Sequence, residues 1–121
     1  MKLFTTLAWL FLGLVAVQFF LAGVGIFGAG SFDAHVINGT LLLVVALALS
    51  IIAAVKHMGR AAVTMSAVLL VATFLQGALP AMREDAPVVA ALHPLTALVL
   101  VILGYALARG STLAELARPA R

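Results

Sequence analysis

Apolar residues run almost unbroken along this chain, and the polar ones gather where the runs end. Four stretches contain no Asp, Glu, Lys or Arg: about 3–32, 34–55, 61–82 and 86–108. A helix rising about 1.5 Å per residue needs ~20 residues to cross a hydrocarbon core ~30 Å thick, and every stretch reaches that length. The pattern predicts an all-α protein: a bundle of four transmembrane helices and little else.

The connections carry their own signals. The glycines of "GVGIFGAGS" end the first span in a short turn. Ser31 is the expected N-cap of the second span, with Asp33 in the first turn, where a carboxylate suits the positive end of the helix dipole. "KHMGR" forms a tight turn that holds His57, the third span finishes around "GALPAM", and "REDAP" carries the densest charge cluster. Pro87 suits the first turn of span four. Pro94, inside that span, removes a backbone hydrogen bond and predicts a kink. After Gly110, the capping-box spacing of Thr112 and Glu115 predicts that 111–121 forms a short helix lying at the inner membrane surface, with a frayed tail as the alternative.

Composition agrees with the pattern. The chain is 65% apolar and 9% charged, against roughly 25% charged residues in a soluble domain. A soluble core is excluded, because there is too little polar surface to cover it. There is no cysteine, so neither a disulfide framework nor a thiolate metal site is available. Lys2, Lys56, Arg60, Arg109, Arg118 and Arg121 fall on one side of a four-span arrangement. Arg83 falls on the other, with Asp33, Glu84 and Asp85. The positive-inside rule then predicts that both termini are cytoplasmic. The net charge of +3 reports topology, and no aromatic-interleaved basic patch suggests nucleic acid. "MKLFTTLAWLFLGLVAVQFF" starts like a secretory signal, but its apolar run is too long for a signal core and it reads as a retained span. Trp9 and Tyr105 stand toward the cytoplasmic ends of spans one and four, as interfacial anchors do.

The rare polar residues inside the spans carry the candidate chemistry. The only two glutamines are Gln18 and Gln76, and they precede His35 and His93 by the same 17 residues. At that offset of 58, Leu21 matches Leu79, Asn38 matches Thr96 and Gly39 matches Ala97. One helical hairpin thus reads as copied, with repeat one over about 1–58 and repeat two over about 59–110 of a single domain, 1–121. Each copy has two spans, so the copies enter from the same side and are parallel repeats. His35 and His93 are then expected at one depth, near the outer surface, facing each other across the bundle.

Gly39 and Ala97 lie one turn below the histidines and put almost no side chain there, the clearance a flat macrocycle needs. Close helix packing explains the same small residues. Polar groups inside a membrane are costly and point to function, so the histidines read as a ligand pair, and two axial imidazoles on haem iron suit a four-helix bundle. Zinc or copper wants a third or fourth ligand, and only Asp33 is near. Gln18 and Gln76 can hydrogen-bond a cofactor edge, a quinone carbonyl or each other, or serve as interhelical glue. His57, between Lys56 and Arg60, is given no role.

The chain resembles one half of heme A synthase, a membrane family built from two four-helix halves. In that family each half carries, on its second and fourth helices, a histidine followed four residues later by a small residue, and these histidines bind haem. "HVING" and "HPLTA" match that pattern. The chain also looks like a small bacterial four-span family with "FDAH" and "LHPLTA" motifs. The synthase glutamate three residues before a histidine is Phe32 here, and the cysteine-bearing loop and second half are missing. The resemblance therefore implies haem binding more than synthase activity. The expected function is a b-type haem protein of the bacterial plasma membrane, ligated by His35 and His93 and transferring single electrons with a quinone or a respiratory partner. The alternative is a cofactor-free accessory subunit packed against a larger respiratory complex. A transport role is disfavoured because no chain of ionisable groups crosses the bilayer.

Overall fold

The computed structural model describes residues 2–116. Arg118, Arg121 and the rest of 117–121 lie outside the described residues. Four helices are long and apolar enough to cross a membrane: Lys2–Ile26, Asp33–Val55, Arg60–Met82 and Pro87–Arg109. The first is α1 (Lys2–Ile26) and the second α2 (Asp33–Val55). The third is α3 (Arg60–Ala78), continued by a 3₁₀ turn over Leu79–Met82. The fourth is broken into α4 (Pro87–Ala90) and α5 (Leu92–Arg109), and a single turn, α6 (Leu113–Leu116), follows.

The helices form a square in which α1 touches α2 and α5, and α3 touches α2 and α5. The core, centred on Phe11, Leu49 and Leu69, fills the half nearer the N-terminus. There Gly104 brings α5 close to α1. A Cβ on it would stand 3.2 Å from the Phe11 and Leu12 side chains. Ser50 on α2 donates to the Ser66 carbonyl on α3 (2.8 Å), a polar clasp inside the apolar bundle. Phe20, Ile26, Phe27, Val36 and Val88 are among the many large apolar side chains left exposed. In water such a surface would associate, and in lipid it is the stable one.

Three boundary expectations change. The first span is shorter than its uncharged stretch and stops at Ile26, because the glycine-rich segment leaves the helix early. Ser31 is not the N-cap of α2. Phe32 holds that position without a side-chain bond, and the Ser31 hydroxyl instead accepts from the Asp33 amide (3.3 Å) and donates to its carboxylate (2.8 Å). The fourth span breaks at Ala91. Pro94 offers no N–H to the Ala90 carbonyl four residues back and its ring crowds it, so the interruption falls one turn before the proline. The expected capping box is present: the Thr112 amide and hydroxyl both donate to the Glu115 carboxylate (2.6 and 3.0 Å), and the Glu115 amide donates to the Thr112 hydroxyl (3.2 Å). Trp9 and Tyr105 meet edge to face with ring centres 6.2 Å apart.

Candidate functional site: two imidazoles across the bundle

His35 stands in the first turn of α2 and His93 in the first turn of α5, on helices at opposite corners of the square. Their ring centres are 6.2 Å apart and their planes are inclined at 60°. Both are half-buried.

Each ring is held in the same way. His35 Nδ1 lies 3.2 Å from the backbone carbonyl of Gln18, and His93 Nδ1 lies 3.0 Å from that of Gln76. A carbonyl oxygen only accepts, so Nδ1 carries the proton in both rings and donates it. Among the described residues, Nε2 of neither ring has a hydrogen-bond partner. A histidine that binds a metal commonly donates its other ring N–H to a backbone carbonyl, which fixes tautomer and orientation. Two imidazoles on opposite sides of one metal atom, each bonded at about 2 Å, hold their ring centres about 6 Å apart. The ring-centre spacing of the pair matches that value.

The glutamine side chains differ sharply. Gln18 Nε2 donates to the His35 carbonyl (2.9 Å), and its Oε1 accepts from Asn38 Nδ2 (2.6 Å). Asn38 also donates to the Leu14 carbonyl (2.9 Å). Gln76 is only 8% exposed, and its Oε1 is buried with no partner among the described residues. Thr96, 58 residues after Asn38, turns its hydroxyl back onto its own helix, to the carbonyls of Leu92 (3.0 Å) and His93 (3.1 Å).

Gly39 does not leave an open seat below His35. A Cβ there would meet Gln18 Nε2 at 3.3 Å, so the clearance expected for a macrocycle accommodates the Gln18 amide. Two cavities, of about 250 and 410 Å³, lie elsewhere. The smaller is at the opposite end of the bundle between Phe4, Met58 and Thr112, and the larger lies against Val63, Ala67 and Val71. Asp33 is engaged by Ser31, and among the described residues no three His, Cys, Asp or Glu side chains gather as a metal-binding group. His57 is exposed in the α2–α3 turn with φ 48°, away from the pair.

Two neighbours of the site, named in the sequence only as a repeat match and as the position of the synthase glutamate, were given no role there. Asn38 locks Gln18 in place, and the available signal was that it is the chain's one asparagine, three residues after His35 in an apolar span. Phe32 sets its ring edge to face against His35, with centres 6.0 Å apart.

The profile of a family of unknown function, DUF6220, matches residues 18–82, a segment that contains Gln18, His35, Asn38, Gly39 and Gln76 and stops short of His93. No curated protein and no solved structure matches the chain.

Proposed function

We propose, for a chain that belongs to DUF6220, a family of unknown function, that it is an integral membrane protein that holds one b-type haem between His35 and His93 and passes single electrons. The observation that carries this reading is the pair of imidazoles 6.2 Å apart. Both are pinned through Nδ1 to a glutamine carbonyl, and both keep Nε2 for a ligand. When bound with both axial positions filled, haem iron supplies a one-electron couple and offers no open site for oxygen. The chain's own part is to hold the two rings at one level and fix their tautomers.

The same contact made at an offset of 58 residues supports reading the two hairpins as parallel copies. The basic residues Lys2, Lys56, Arg60 and Arg109 support placing the end that bears both termini on the cytoplasmic side of a bacterial plasma membrane, with the imidazoles near the outer face. A quinone in the bilayer or a respiratory complex is the electron partner this placement suits.

The test is an absorbance scan of the detergent-solubilised protein, made with haem supplied. A sharp reduced-minus-oxidised spectrum is expected, abolished by His35→Ala and by His93→Ala and retained by His57→Ala. A colourless protein, or colour indifferent to both substitutions, would overturn the proposal. The second reading is a cofactor-free accessory subunit of a larger membrane complex, which the position of the two cavities away from the imidazoles favours.

A further inference from the structure

The smaller cavity lies at the end of the bundle that carries the N-terminus, away from the imidazoles, and the proposed function leaves it unused. It measures about 250 Å³, is partly open, and is enclosed by α1, the α2–α3 turn, α3, the end of α5 and the segment that follows. Small residues make the space. Ala61, Ala106 and Gly110 put little side chain between these elements, and Gly110, with φ 65°, turns the chain away from α5. Its lining is two-sided. Phe4, Met65 and Leu107 form a buried apolar wall, while Thr5, Ser111 and Thr112 contribute hydroxyls.

Charge at this end is mainly positive. Lys2, Lys56, Arg60 and Arg109 are all exposed, and none of the four forms an ion pair among the described residues. Arg60 directly precedes Ala61 and Arg109 directly precedes Gly110, so two of these cations adjoin the cavity lining in the chain. The described acidic residue at this end, Glu115, is engaged by Thr112. An apolar recess beside hydroxyls and exposed cations suits a molecule with an anionic head and an apolar tail. A small free anion would leave the wall at Phe4 and Leu107 without contact, which forfeits dispersion energy. The cavity is smaller than those that enclose a drug-sized molecule, so it takes only the part of a lipid nearest the head. We propose that it seats an anionic phospholipid of the leaflet on that side. The glycerol and the first carbons of one chain enter the recess, the phosphate head meets Arg60 and Arg109, and the rest of the chain lies along the exposed apolar surface. Basic pockets between membrane helices take acidic head groups for the same electrostatic reason.

The test titrates full-length protein in a neutral detergent with phosphatidylglycerol, with phosphatidylcholine of the same chains and with inorganic phosphate, reading retained lipid by native mass spectrometry and the thermal midpoint. Wild type is expected to retain phosphatidylglycerol at roughly tenfold lower concentration than phosphatidylcholine, and inorganic phosphate should leave the midpoint unchanged. Arg60→Gln combined with Arg109→Gln should bring both lipids to one affinity, whereas Arg83→Gln, at the other end, leaves the preference intact. Ala61→Leu, which fills the cavity from an exposed position, should weaken retention of both lipids, whereas Ala67→Leu, in the larger cavity, should not. Equal retention of the two lipids by wild type, a preference that survives the double arginine substitution, or retention indifferent to Ala61→Leu overturns the proposal. A midpoint shift with inorganic phosphate equal to that with phosphatidylglycerol also overturns it, leaving a small-anion site in place of a lipid one. None of these outcomes bears on the imidazole pair, which the absorbance scan tests separately.

Discussion

Asn38 sets the order of the end of α1 and α2 remote from the N-terminus. One side-chain amide joins the Gln18 oxygen and the Leu14 carbonyl, and Gln18 in turn holds the His35 carbonyl. Asn38→Ala removes both bonds and orphans the Gln18 oxygen. A loss of about 1–3 kcal/mol is expected, the cost of a buried unsatisfied polar group, read as a lower thermal midpoint in detergent. Thr96→Ala removes only bonds within α5, and its effect should stay within about 0.5 kcal/mol. Equal effects at the two positions would contradict the asymmetry of the hairpins.

At the scale of elements, the decisive local feature is the break at Ala91, which starts a new helix two residues before His93 and lets the ring address the Gln76 carbonyl. Pro94→Ala restores an N–H for the Ala90 carbonyl, so α4 and α5 should fuse. Hydrogen exchange should then show protection running continuously from Ala90 through Leu95, with a gap after Ala91 expected in the native protein. Close approach of α1 and α5 depends on Gly104. Gly104→Leu inserts a side chain where the Phe11 and Leu12 atoms already lie, and overpacking of about 1–3 kcal/mol is expected, again read from thermal melts. Gly13 has no neighbour near its missing Cβ, so Gly13→Leu is the control that should leave the midpoint unchanged or raised.

For the whole molecule, the absence of cysteine makes topology directly measurable. Lys56→Cys and Asp85→Cys lie in turns at opposite ends of the bundle. With both termini cytoplasmic, an impermeant maleimide added to intact cells should label Cys only in the Asp85 variant, and lysis should expose the other. Labelling in the reverse order would invert the orientation and move the imidazole pair to the cytoplasmic face. The spans themselves were legible because lipid imposes one requirement on every residue of a crossing helix, and long uncharged runs meet it without reference to any neighbour. Their ends were less so: the first helix stops at Ile26 inside an uncharged run, where glycine content and not charge decides.

Sequence by itself determined the four apolar helices, the capping box at Thr112 and Glu115, the interruption of the fourth span by Pro94, and the choice of His35 and His93 as the histidines worth attention. Those follow from local properties: hydrophobic length, backbone chemistry and the rarity of a polar side chain in an apolar run. Only the tertiary structure decided that the two rings meet at 6.2 Å, that Gln18 fills the space Gly39 leaves, and that Gln76 keeps a buried oxygen without a partner among the described residues. Each depends on how one helix is rotated against another. That rotation is set by contacts between residues far apart in the chain, such as Asn38 with Leu14 and Gly104 with Phe11, which no pattern along a single helix records.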